Sequence, residues 1–114
     1  MTKFQPKRIE KPWGYEEILE SNPMYTVKRL LMKKGCQCSY QYHEKKRETV
    51  LGLEGNLVIV LENGEITLKP GEHFTLAPMT KHRMKAVDRD CLYLECSTSE
   101  LDDVIRIQDD YGRS

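Results

Sequence analysis

Turn signals recur along this chain at close, regular intervals, and almost nothing between them carries a helical period. Ser21-Asn22-Pro23, Lys33-Lys34-Gly35, Glu62-Asn63-Gly64-Glu65, Lys69-Pro70-Gly71-Glu72 and Asp88-Arg89-Asp90 separate short runs rich in β-formers. Asn63-Gly64 is the strongest of them, because both residues tolerate the positive φ of a two-residue hairpin turn. The pattern predicts strands over 15–20, 25–32, 38–43, 48–53, 57–61, 66–68, 73–77, 82–86 and 91–96. Residues 57–61 are an unbroken apolar run, which predicts burial on both faces. Gly52 and Gly55 permit sharp backbone turns after the 48–53 run begins. Many short strands without a helical stretch point to an all-β sandwich or barrel.

The flanking segments are less regular. Residues 1–14 read as an irregular arm with a short strand near Ile9. Trp13, between Pro12 and Gly14, is expected to pack over one end of the core, since its ring is costly to leave in water. Ser97-Thr98-Ser99-Glu100 has the hydroxyls and nearby acid of a helix start. Residues 101–107 show no clear period, and 109–114 form a polar tail. No internal repeat divides the chain, so 1–114 reads as a single domain with an N-terminal arm and a polar C-terminal tail.

Alternation assigns side chains to faces. Counting in steps of two, Leu30, Met32, Val50, Phe74, Leu76 and Met84 point inward, and His73 points out. Lys28 falls on the same inner face as Leu30 and Met32, where a lysine is unusual unless it reaches water along its stem at the barrel mouth. Gln41 and His43 are two apart and leave one face of an extended strand. A polar break follows, and Glu48 opens the next apolar run. If those two runs pair as neighbours, Glu48 returns beside His43, and His82 approaches from a third strand. Taken singly, Gln, His and Glu are usually surface residues. Together, an amide oxygen, two imidazoles and a carboxylate form a divalent-metal site with room left for solvent or substrate.

Composition excludes several partners. Lys plus Arg and Asp plus Glu are both 18, so net charge is zero, and nothing calls for nucleic acid or an anionic membrane. No apolar run approaches a membrane span, and Met1-Thr2-Lys3-Phe4-Gln5-Pro6 lacks the apolar centre of a signal peptide, so a cytoplasmic location is expected. Cys36, Cys38, Cys91 and Cys96 do not match zinc-knuckle spacing and are expected to be free thiols.

Gly35, Gln41, His43, Glu48 and Gly55 have the order and intervals of the first cupin motif, and Gly71 to His82 resembles the second. The chain therefore resembles the cupins, which implies a small double-stranded β-helix or jelly-roll barrel. A narrower resemblance rests on Pro12-Trp13-Gly14, Tyr25 with Val27-Lys28-Arg29, Gln41-Tyr42-His43, Thr80-Lys81-His82-Arg83, and the tail from Asp103 to Arg106 and Asp109 to Arg113. These look like the type II mannose-6-phosphate isomerase domain, often the C-terminal part of bifunctional mannose-1-phosphate guanylyltransferases. No nucleotidyltransferase half lies within the 114 residues, and that activity is not expected of them. The chain departs from the motifs at Ala77, Met79 and Ala86. It also has Lys45, Lys46 and Glu48-Thr49-Val50 where the type II domain continues with His, Arg and Glu-His-Trp. Altered residues around intact ligands suggest a different substrate.

The resemblance implies metal-dependent aldose–ketose isomerisation of a phosphorylated sugar in sugar or polysaccharide precursor metabolism. Gln41, His43, Glu48 and His82 would hold zinc, manganese, iron, cobalt or nickel as a Lewis acid. Lys28, with Glu95 behind it, is the candidate base that carries the proton. Lys45, Lys46, Arg47, Lys81, Arg83, Arg106 and Arg113 are the candidate phosphate contacts. A homodimer is expected, as small cupins commonly pair. Two rival readings are a non-catalytic metal- and sugar-binding or dimerisation module and another cupin enzyme, an epimerase or oxygenase.

Overall fold

The computed structural model describes residues 5–100 and 102–113. These fold into β1 (Lys7–Lys11), β2 (Gly14–Ser21), β3 (Thr26–Met32), β4 (Tyr40–Tyr42), β5 (Glu48–Glu54), β6 (Leu57–Leu61), β7 (Gly64–Leu68), β8 (His73–Leu76), β9 (His82–Ala86), β10 (Cys91–Ser97) and β11 (Ile105–Gln108). Every pairing is antiparallel. One sheet has six strands in the order β1-β2-β3-β10-β5-β8, and the other has five, β11-β4-β9-β6-β7. The all-β class expected from the turn spacing, and the jelly-roll barrel implied by the cupin resemblance, are the fold observed. Among the described residues there is no helix, and so none long and apolar enough to cross a membrane.

The core lies between the sheets. Leu30, Met32, Val50, Leu76 and Met84 are buried as alternation requires, with Ile59 and Tyr93 filling the middle. Phe74 packs against this cluster but stays half-buried, because β8 is an edge strand. Trp13 closes one end of the core at 4% exposure. On β6, burial on both faces holds for Leu57, Val58 and Ile59. It fades at Val60 and Leu61, where the strand reaches the barrel rim. His73 is exposed, as expected. All four cysteines are free.

One sequence expectation is corrected. Ser97-Thr98-Ser99-Glu100 starts no helix. β10 runs through Ser97, and Thr98 is taken by Arg47: the Arg47 N–H donates to Thr98 Oγ1 at 3.2 Å and the Thr98 N–H to Arg47 O at 3.0 Å. The short strand expected near Ile9 is β1, all of which pairs with β2. The stretch without a clear period contains β11, an edge strand whose residues are half-buried or exposed and so carry no alternation.

The second motif departure has a backbone consequence. Met79, where the cupin motif has Gly, sits at φ 69°, in the left-handed region that costs a side-chain-bearing residue roughly 1–2 kcal/mol. Its N–H donates to His43 O at 2.6 Å, which holds it there. Met79→Gly should therefore stabilise the protein by roughly 0.5–1 kcal/mol, after allowing for glycine's greater freedom when unfolded. Thermal or denaturant unfolding measures this, and a destabilised variant would show that the 59%-exposed side chain contributes packing.

Candidate metal centre

Gln41 on β4 lies opposite His82 on β9, and the two strands are neighbours in the five-stranded sheet. Glu48 arrives differently from the expectation. β4 and β5 do not pair; they belong to opposite sheets. Residues 43–47 form the corner between sheets, and Glu48, the first residue of β5, faces His43 and His82 across the barrel interior. The geometry is nonetheless convergent. Glu48 Oε1 is 3.3 Å from His43 Nε2 and 3.3 Å from His82 Nε2, with the imidazole centroids 5.4 Å apart. All three residues are buried, and their ligand atoms lie within 4.8 Å of one another.

Each imidazole has its other nitrogen committed. His82 Nδ1 donates to Thr80 O at 2.8 Å, and His43 Nδ1 donates to Asp103 O at 2.5 Å. A carbonyl on Nδ1 leaves the Nε2 lone pair free for a ligand bond. His43 Nε2, Glu48 Oε1 and His82 Nε2 are buried without a hydrogen-bond partner among the described residues. Unpaired buried polar atoms are costly, and a shared cation satisfies all three at once. The donor set fits a divalent ion with mixed nitrogen and oxygen ligation. Without a cation, burial would raise the Glu48 carboxyl, but His43, His82 and Lys46 outweigh it and hold it well below the usual carboxylate range. Burial also opposes a charged His82, and Glu48 outweighs it, so His82 sits above the usual histidine value. Gln41 lines the same cavity, with its Oε1 accepting from Ser39 Oγ.

The cavity measures about 140 Å³. Four adjacent strands of the six-stranded sheet each point one charged side chain into it: Glu16 from β2, Lys28 from β3, Glu95 from β10 and Glu48 from β5. Glu95 sits directly between Lys28 and Val50 in register. Lys28 is inward, as the count of two predicts, and lines the cavity with Nζ 3.2 Å from Glu16 Oε1. Burial first, and then the Glu48 carboxylate, push the Glu95 carboxyl up to about 8, against the pull of Lys46 and Lys28.

The expected phosphate contacts divide. Lys46, Arg106 and Arg113 line the cavity. Lys46 is buried, not at a solvated loop end, and its Nζ lies 3.9 Å from Glu48 Oε2. Arg113 is held by Asp109 at 2.8 Å, which drops the Asp109 carboxyl to about 2. Lys45, Arg47, Lys81 and Arg83 lie outside the cavity lining. Arg83 is committed to the Cys38 carbonyl at 2.9 Å and to Asp110 at 3.7 Å, tying β9 to the tail. Sequence reasoning missed Glu16 and Asp103. Alternation with Gly14 and Ile18 marks Glu16 as inward, whereas no local signal marks Asp103.

Comparison with known proteins now has a site to refer to. The family model described as mannose-6-phosphate isomerase C-terminal matches residues 2–109. The chain belongs to this family. Among other members of known role, the xanthan biosynthesis protein XanB of Xanthomonas campestris is 29% identical over 95% of this chain and 24% of its own length. A mannose-1-phosphate guanylyltransferase of Klebsiella pneumoniae is 30% identical over 94% of this chain and 24% of its own. The chain thus spans about a quarter of the length of these relatives. Solved structures agree on the cupin fold. The capsular polysaccharide assembling protein CapF of Staphylococcus aureus gives a TM-score of 0.81 at 17% identity, covering 92% of this chain and 32% of that one. A cupin-2 domain from Rhodospirillum rubrum gives 0.79 at 13% identity, covering 92% and 79%.

Proposed function

We propose that this chain is a metal-dependent isomerase that interconverts an aldose phosphate and a ketose phosphate in sugar or polysaccharide precursor metabolism. The observation that carries the reading is the meeting, in one cavity, of the His43, Glu48 and His82 ligand atoms with Glu95, a carboxyl whose pKa burial raises. Gln41 completes the ligand set through the second lone pair of its amide oxygen. A divalent ion bound there supplies Lewis-acid polarisation of the substrate's carbonyl and adjacent hydroxyl oxygens.

The remaining work falls to the chain's own side chains. Glu95 moves the proton between adjacent carbons, since burial, the largest cause of its raised pKa, acts whether or not an ion neutralises Glu48, and such a carboxyl both accepts and returns a proton. Lys28, fixed by Glu16, donates to a substrate oxygen. Lys46, Arg106 and Arg113 provide the cationic wall that receives the phosphate. Burial by Trp13 and the tail keeps bulk water from the reacting carbons.

The direct test is incubation with phosphorylated aldoses and ketoses in deuterated water, after loading with the metal found by elemental analysis. Deuterium should appear at C1 or C2 even where net conversion is small. Full metal content with no exchange across a broad panel would leave a non-catalytic binding module or another cupin chemistry.

A homodimer in the cytoplasm belongs to the same reading. Val27, Leu31, Leu51, Leu53, Leu92 and Leu94 alternate with buried core residues and therefore share the outer face of the six-stranded sheet. Leu92 is paired with Leu31 and Leu94 with Leu51, while the neighbouring Arg29 is ion-paired with Glu17 at 2.9 Å. A second copy covers such a face well. Light scattering should give twice the chain mass, and a monomer at all concentrations rules the dimer out.

A further inference from the structure

The two imidazoles of the candidate metal centre are oriented in unlike ways. His82 lies within β9, and its Nδ1 acceptor, Thr80 O, is two residues away. His43 lies one residue past β4, at the corner where the chain leaves one sheet for the other. Its Nδ1 acceptor, Asp103 O, is sixty residues further along. His82 is therefore oriented by its own neighbourhood, whereas His43 depends on the C-terminal segment.

Asp103 holds this corner with two different groups. Its main-chain carbonyl accepts from His43. Its carboxylate accepts the Glu44 N–H at 3.0 Å through Oδ1, and the Lys45 and Lys46 N–H groups at 2.7 and 2.9 Å through Oδ2. Successive N–H groups aimed at one point make an anion-binding concavity, and here the anion is supplied by the chain itself. Two residues after Asp103, β11 begins and pairs Ile105 with Tyr42, next to His43. The carboxylate thus anchors the carbonyl, and the carbonyl orients the ring.

We infer that Asp103 is a positioning residue for His43: it fixes the ring with hydrogen on Nδ1 and Nε2 toward Glu48, and so couples the seating of Asp103 on residues 44–46, and not the tail as a whole, to metal affinity. The inference builds on the metal-binding reading of the triad. It adds that Asp103, from the segment that also brings Arg106 and Arg113 to the cavity, is needed for the site to have both imidazoles in place.

The test uses the full chain and three variants, Asp103→Ala, Asp103→Asn and Tyr111→Phe. Imidazole ¹⁵N shifts of the metal-free protein report the tautomer, amide exchange reports residues 44–46, and titration with Co²⁺ reports affinity. In the unmodified chain His43 should carry its hydrogen on Nδ1. In Asp103→Ala, His43 should lose that preference while His82 keeps it, and the amides of residues 44–46 should lose protection. Co²⁺ affinity should fall by about 10–100-fold, the usual effect of removing a ligand's outer partner. Asp103→Asn, which keeps an acceptor oxygen, should fall between. Tyr111→Phe removes only the 3.1 Å bond from Tyr111 Oη to Gln37 O, loosening the tail elsewhere, and should leave tautomer and affinity unmoved.

An Nε2–H tautomer at His43 in the unmodified chain overturns the inference. So does a folded Asp103→Ala with tautomer and affinity unchanged. If Asp103→Ala does not fold, the same readouts on Asp103→Asn decide, and values matching the unmodified chain overturn it. Should the unmodified chain bind no Co²⁺, the metal reading fails on its own. The tautomer and amide protection still show whether Asp103 holds His43.

Discussion

Replacing Glu95 with glutamine should slow the entry of solvent deuterium into a phosphorylated sugar by about 10²–10⁴-fold, the usual contribution of a positioned acid–base group. Metal content should be unchanged, because Glu95 supplies none of the His43, Glu48 and His82 ligand atoms. Glutamine preserves shape and hydrogen bonding but cannot carry a proton. Lys28→Ala is the informative comparison. Lys28 lines the cavity in an ion pair with Glu16, so its loss should weaken substrate binding and lower the rate less than Glu95→Gln. The reverse ranking, with exchange intact in Glu95→Gln and absent in Lys28→Ala, would make Lys28 the base. Glu95→Gln also carries a pH signature in the metal-free protein. A carboxyl raised from 4.5 to about 8 keeps its proton in the fold after the unfolded chain has released its own. Its contribution therefore falls as pH rises from about 4.5 to about 8, and Glu95→Gln should flatten that decline.

His43→Ala or His82→Ala should each abolish stoichiometric metal binding. Removing an outer partner alone costs about 10–100-fold, and removing a ligand costs more. His73→Ala should leave binding intact, since His73 is exposed and points away from the core on β8. Elemental analysis after dialysis against limiting metal distinguishes the variants. Equal loss in all three would place the metal elsewhere. Because His82 is held above the usual histidine value by Glu48, metal uptake near neutral pH should release a proton, and affinity should rise with pH.

The strands were legible because their two signals, alternation and turn chemistry, are local. Asn63-Gly64 does close the β6–β7 hairpin, and Leu30, Met32, Val50, Leu76 and Met84 do face inward. The convergence of His43, Glu48 and His82 was legible from their faces, but not their route. The expected strand pair would put Glu48 beside His43 within one sheet, and the corner at 43–47 instead places it opposite. A corner leaves no periodic trace, because it is held by Asp103 from far along the chain. Thr98 illustrates the same limit from the other side. Its hydroxyl reads as a helix cap, and Arg47, on another segment, takes it first. Nothing local separates Lys46 from the other candidate phosphate contacts, yet it alone of Lys45, Lys46 and Arg47 lines the cavity, where the nearby Glu48 carboxylate makes its burial tolerable.

The separation of the ligands between two sheets has a mechanical consequence. His82 and the end of β4 belong to one layer, and Glu48 to the other, so an ion held by all three acts as a cross-brace through the barrel. Its binding energy then enters the unfolding free energy directly, at about 4 kcal/mol when the free ion stands a thousandfold above its dissociation constant. Melting temperature becomes a reading of metal supply, and chelation should loosen the two layers before it unravels either one. If the triad holds an ion, its scarcity would lower the stability of the fold as well as the occupancy of the site.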